Sequence, residues 1–146
     1  MDYRNAFAIS AAGMDLERQR VDVATLNLAN ANTVQAPNGR GYQPMRVVAR
    51  SLGVLPGQFA DMLRAHGAGT NAAGATVTIE PLDGAPRQAY DPGHPYADEH
   101  GFVRYAPVDT ASEMMTMMSA IRSYEANVAA LNTSRQMAVK ALEIGG

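Results

Sequence analysis

The sequence predicts an α+β chain in which long N- and C-terminal helices pack as a helical hairpin or coiled coil and carry a small, mostly β insert between them. Three observations predict it. Neither 3–31 nor 110–144 contains Pro, and the only Gly in the two stretches is Gly13. Both stretches repeat apolar residues at helical spacing. The stretch between them, 37–107, holds all eight Pro and ten of the thirteen Gly, which punctuates it with turns.

In the N-terminal arm, 1–36, Phe7, Met14, Val21 and Leu28 recur every seven residues, with Tyr3 beside them. At about 100° per residue they drift slowly along one side of a helix. Ile9, Leu16 and Val23 form a second column on roughly the opposite side. A helix lying on its own core needs one apolar side, so two columns imply contacts on two. Asn27, Asn30 and Asn32 crowd the end of this helix. Asn is a mediocre helix former but a good C-cap and cross-helix hydrogen-bonder, so the cluster suggests a polar network between packed helices.

The C-terminal arm, 108–146, carries the stronger pattern. Thr110 and Glu113 have capping-box spacing, and Asp109 places negative charge where a helix dipole favours it. With Met114 at position a, the a and d residues are Met114, Met117, Ile121, Tyr124, Val128, Leu131, Arg135, Ala138 and Leu142. Only Arg135 interrupts this seam, which is coiled-coil-like. Met115, Met118 and Val139 lie off it and offer further contact surface. The run Met114, Met115, Met117 and Met118 reads equally as ordinary core or as an adaptable binding surface, since Met repacks easily against different partners. Gly145 and Gly146 end the helix.

Length makes the pattern an argument. At about 1.5 Å per residue the C-terminal helix runs roughly 50 Å and the N-terminal one about 40 Å. A compact globule of this size spans only about 40 Å. The two helices, paired with each other, therefore leave faces that want neighbours.

Within the insert, 37–107, Met45–Arg50, Thr76–Glu80, Gln88–Tyr90 and Phe102–Tyr105 read as short strands. Asn38-Gly39, Asp83-Gly84 and Asp91-Pro92-Gly93 are turn signals, Phe59–His66 fits a short helix, and Gly67–Ala75 a Gly/Ala-rich loop.

Composition narrows the function. The formal charge is −2 with mixed signs along the chain, which gives no electrostatic footprint for nucleic acid or anionic lipid. The absence of Cys excludes disulfides and thiol chemistry, and no apolar run is long enough for membrane insertion. Ala6–Met14 after Arg4 is a poor signal peptide, because Asp2 dilutes its positive start and the same residues fit the helical pattern. His94, Asp98, Glu99 and His100 cluster like divalent-metal ligands, but their spacing matches no recognised site and Pro92, Gly93 and Pro95 mark a surface turn. Gly67-Ala68-Gly69 lacks the Lys of a phosphate loop. No nucleophile with a base and an acid is evident. These readings point to an assembly protein with no metal, cofactor or catalytic site. The rivals from other classes are a metal-dependent enzyme using His94 and His100, and a cytosolic helical adaptor.

The run from Asn27 to Thr33, preceded by Ile9–Met14 and Arg20–Val23, resembles the signature of bacterial flagellar basal-body rod and hook proteins. Arg122–Val128 through Ala141–Gly145 is similar to the C-terminal helix of that family. Tyr90–Pro95 with Ala97–Glu99, then Gly101–Val103 leading to Pro107-Val108, resemble its proximal-rod members. The chain departs from them slightly, with Leu28 where Ile is common and Ala106-Pro107-Val108 where Pro-Asn-Val is usual. The resemblance implies a structural, non-catalytic subunit exported by the flagellar type III apparatus without a cleaved leader. It implies a place in the periplasmic rod, where terminal helices form an inner coiled-coil layer around the export channel and the rod transmits torque. Partners would be copies of itself, other rod proteins, and the basal-body base and export apparatus. Another axial subunit of the same flagellum is the nearest alternative.

Overall fold

The computed structural model describes residues 3–35, 41–51 and 75–144. Helix α1 spans Tyr3–Ala29 and helix α2 spans Thr110–Ile144. Between them lie strands β1 (Met45–Ser51), β2 (Ala75–Pro81), β3 (Arg87–Tyr90) and β4 (Phe102–Tyr105). The expected α+β architecture is present: two long helices packed together, with a small strand insert between them. The expected turn at Asn38-Gly39, the helix at Phe59–His66 and the loop from Gly67 to Gly74 lie outside the described residues.

β1 and β2 form one two-stranded sheet, β3 and β4 another. The Leu82 amide donates to the Pro44 carbonyl at 2.7 Å, and Arg46 lies 3.9 Å from Glu80. Partner numbers fall as β1 numbers rise, which makes β1 and β2 antiparallel. β3 and β4 pair antiparallel with Tyr90 opposite Phe102 and Arg87 opposite Tyr105. The Tyr90 and Phe102 rings meet edge-on at 5.5 Å, a cross-strand contact of the kind that stabilises a short ladder.

The connection between β3 and β4 is tied by Asp98, whose carboxylate accepts from the amides of His100 (2.9 Å) and Phe102 (2.8 Å). These bonds, the Phe102 one foremost, hold its carboxyl below the usual range. Gly101 closes the turn at φ +80°, where a Cβ would also lie 2.9 Å from the Tyr90 ring, so only Gly fits.

The described residues group into two compact units. One contains α1 through Arg18, α2 from Ile121, and the β1 and β2 residues between Val48 and Thr78. The other contains α1 from Gln19, the start of β1, the end of β2, the β3–β4 hairpin and α2 through Ala120. In the second unit the core gathers Ala31, Ala106 and Val108, with Tyr42 packed against them and Val103 fully buried nearby. The chain leaving α1 is stitched to β4: the Gln35 amide donates to Arg104 and the Ala106 amide to Thr33.

Candidate assembly surface

The inward positions of both helices are mostly small or polar, with Val23 of α1 and Met117 and Leu131 of α2 the larger apolar ones. In the first unit Ser10 and Glu17 of α1 are buried and Gly13 lies between them. A Cβ at Gly13 would stand 2.8 Å from Asn127 Nδ2, so the helices approach closely there because Gly has no side chain. On α2, Ser123, Asn127, Val128, Leu131, Ser134 and Ala138 are the more covered residues. In the second unit Val23, Ala24, Asn27 and Ala31 are buried, and Glu113, Met117 and Ala120 are the covered positions on α2. The Thr25 hydroxyl lies 4.0 Å from the Met117 sulfur and Asn27 bonds Glu113, so α1 and α2 run antiparallel. The spacing alternates three and four residues on each helix, as a hairpin seam requires.

The apolar columns read from the sequence flank this seam. Phe7, Met14, Val21 and Leu28 are all half-buried along one side of α1. Of the second column, Ile9 is exposed, Leu16 half-buried and Val23 buried. On α2, Met117, Val128, Leu131 and Ala138 are half-buried. Met114, Ile121, Tyr124 and Leu142 are exposed, as are Met115, Met118, Met137 and Val139. At Met114, Ile121 and Arg135 the covered residue is the one before: Glu113, Ala120 and Ser134. One residue back is about 100° of rotation. The small residues take the close contact and turn the large apolar ones outward. So many exposed large apolar side chains on one helix are what an interaction surface provides.

Asn27 anchors the second unit. It is fully buried, and all four of its hydrogen-bonding capacities are used. Its amide nitrogen donates to the Met45 carbonyl (2.8 Å) and to Glu113 Oε1 (3.0 Å). Its oxygen accepts from the Tyr42 hydroxyl (2.7 Å) and the Met45 amide (3.0 Å). One side chain thus joins α1, β1 and α2. Burial pushes the Glu113 carboxyl up, the bond from Asn27 pulls it down in part, and Asp109 adds to the rise. Burial, with the nearby Glu113, raises the Tyr42 hydroxyl as well.

The other two asparagines do different work. Asn30 donates to the Leu26 carbonyl within its own helix end (2.8 Å), and Asn32 accepts from Arg87 (3.1 Å), which also lies 5.3 Å from the Tyr105 ring centre. The expected cross-helix network is therefore carried by Asn27 alone of the three. The expected capping box is also rearranged. Asp109 is the N-cap, accepting from the amides of Ala111 (3.0 Å) and Ser112 (3.4 Å). Glu113 is drawn to Asn27 instead of reaching back. A buried donor across the helix pair outcompetes an exposed amide that water can satisfy. No sequence signal assigns Glu113 this role, because capping-box spacing explains it equally well.

Beside this anchor runs a groove of about 540 Å³ whose lining includes Val23, Ala24, Leu82, Met115 and Ala120. Among the described residues no three His, Asp or Glu converge as a metal site. His94 Nδ1 accepts from the Tyr96 amide at 3.1 Å, and Asp98 is held in its turn. No helix of the described residues is long and apolar enough to cross a membrane.

Comparison with known proteins places these features in a family context. Residues 99–144 match the family described as flagellar basal body rod FlgEFG protein C-terminal. The flagellar basal-body rod protein FlgC of Escherichia coli O6:H1 is 37% identical over 97% of this chain and 96% of its own length. FlgC of Bacillus subtilis is 37% identical over 94% of each chain. FlgC of Borreliella burgdorferi is 33% identical over 93% of each.

Proposed function

The chain belongs to the FlgC family of flagellar basal-body rod proteins, structural subunits of the rod, and from that premise we propose that it polymerises through its terminal helices. In this reading 1–36 and 108–146 together form the assembly element, and 37–107 is an insert carried outside it. Partners are copies of the chain, other rod subunits, and the basal-body base and export apparatus. The rod so built encloses the export channel, transmits torque and lies in the periplasm, which the subunit reaches without a cleaved leader. The subunit performs no catalysis.

The observation that carries the reading is the number of large apolar side chains that α2 leaves exposed: Met114, Met115, Met118, Ile121, Met137 and Leu142. Burying each such side chain contributes about 1.5–3 kcal/mol. A handful buried at once offsets an association cost of order 4–15 kcal/mol. Half-exposed Asn or Ser at these positions would serve a solitary helix equally well, so the apolar row is accounted for by neighbours.

Ile121→Asp tests this directly. Ile121 is 42% exposed, so the substitution places its charge on the open side of α2, and a circular-dichroism spectrum like that of the wild type checks that the fold is kept. The chain should be missing from isolated basal bodies and the cells should not swim. Wild-type motility with normal incorporation of the variant would exclude this surface as the assembly interface.

A further inference from the structure

The outward row on α2 is unusual in chemistry as well as in position. Three thioethers stand on its first turns, with Met115 at 72%, Met118 at 54% and Met114 at 53% exposure. Met115 also lines the groove that Val23 and Ala120 line. Met117, in the same run, faces inward against Thr25. Leu would cover the same surface with similar volume and helix propensity. Choosing sulfur there adds one property Leu lacks, a reactive lone pair open to solvent.

We propose that Met114, Met115 and Met118 form a peroxide-sensitive modification site whose oxidation to sulfoxide blocks incorporation of the subunit. This rests on the reading of the α2 row as the assembly surface. The step balances without a cofactor. A thioether lone pair attacks one oxygen of hydrogen peroxide, the S–O bond forms as the O–O bond breaks, and the departing hydroxide takes a proton to leave as water. Sulfur loses two electrons and peroxide gains them. The product is polar and chiral. Its S=O dipole would have to be buried without a partner in an apolar contact. A reductase acting on each sulfoxide epimer reverses the change, so the block is a switch and not only damage. Once the surface is covered by a neighbouring subunit the sulfurs are shielded, which confines sensitivity to subunits not yet assembled.

The test uses the full-length chain in cells given a brief peroxide pulse while rods are forming. Basal bodies and the unincorporated pool are then isolated and the sulfoxide fraction at each Met is read by mass spectrometry. In the free pool Met115 and Met118 should oxidise before Met117. Incorporation of the wild-type chain should fall at least about tenfold, equivalent to about 1.4 kcal/mol, relative to unpulsed cells. The Met114→Leu, Met115→Leu, Met118→Leu triple variant should assemble equally well with and without the pulse. Equal loss of the wild-type chain and the triple variant would overturn the proposal, as would incorporated subunits carrying as much sulfoxide at these positions as the free pool. Should the triple variant fail to assemble even without peroxide, the Met115→Leu and Met118→Leu single variants decide: partial resistance supports the site, and none overturns it. Failure here leaves the assembly reading standing if Ile121→Asp still blocks incorporation, and the two fail together only if that variant also assembles normally.

Discussion

Asn27 shows how much one side chain can hold. It is fully buried, and each of its four hydrogen bonds goes to a partly buried group of α2, β1 or the segment before β1. Asn27→Ala leaves the Met45 amide and the Tyr42 hydroxyl without this acceptor. An unsatisfied buried group costs about 1–3 kcal/mol, so the variant should lose about 3 kcal/mol in chemical denaturation. Asn27→Asp keeps the acceptors but sets a carboxylate against Glu113 and the Met45 carbonyl. Its deficit should shrink on acidification, as protonation of either carboxyl restores a donor. Glu113 itself behaves oppositely to a salt-bridged acid. Its folded-state pKa is raised, so it binds a proton more readily in the folded chain than in the unfolded one. The stability it contributes is present below the ordinary glutamate range and is lost as pH rises through the folded value. Glu113→Gln keeps an oxygen for Asn27 to donate to and removes the partly buried charge. It should therefore equal or exceed the wild type in stability at neutral pH, with the difference vanishing in acid. Denaturation curves at several pH values would show this, and a large loss for Glu113→Gln at neutral pH would contradict it.

At the scale of the element, the two helices solve different problems at their ends and in their middles. α2 begins at Asp109, whose carboxylate caps two orphan amides and frees Glu113 for the helix pair. α1 tolerates Gly13 in mid-helix although Gly costs about 0.5–1 kcal/mol against Ala there. The reason is the Asn127 side chain, 2.8 Å from where a Cβ would stand. Gly13→Ala gains helix propensity but forces Asn127 to move, so alone it should give no net stabilisation. In Asn127→Ala the obstruction is gone, and Gly13→Ala added to it should stabilise by about 0.5–1 kcal/mol. A double-mutant cycle on the first unit reads this coupling directly. Simple additivity would show that the two positions do not press on each other. Between the helices, Asp98 and Gly101 do for the β3–β4 hairpin what Asp109 does for α2: a short polar side chain and a permissive backbone satisfy amides that the ladder leaves over.

For the whole molecule, the outstanding feature is the length of helix relative to what the chain itself can cover. α2 has 35 residues and its large apolar side chains from Met114 to Leu142 are mostly exposed. Tertiary packing of an amphipathic face supplies most helical stability in proteins, and here the described chain leaves much of the apolar surface of α2 uncovered. In dilute solution the helical arms should therefore be cleaved readily by protease and give less than full helix content by circular dichroism. In isolated basal bodies the same bonds should resist cleavage. A dilute monomer with fully formed, protease-resistant arms would show that the hairpin is self-sufficient and would weaken the case for helix burial between subunits.

The elements were legible in the sequence because their causes are local. Period and punctuation determined both helices, and alternation with β-branched and aromatic residues determined all four described strands to within a residue or so of their ends. The run from Asn27 to Thr33 and the C-terminal helix pointed to the flagellar rod family. The rotation of the helices lay beyond the sequence. A hydrophobic pattern cannot tell a seam within the chain from one between chains, and it favours the larger side chains as the seam. The tertiary structure set Ser10, Gly13, Ala24, Ala120, Asn127 and Ser134 inward beside Val23, Met117 and Leu131, and at Gly13 the missing side chain lets α2 approach closely. It likewise decided that Asn27 joins α1 to α2 while Asn30 and Asn32 do not, and that Glu113 answers Asn27 and not its own helix end. Both outcomes follow from burial, which makes an unpaired polar group costly, and burial exists only once the chain has folded.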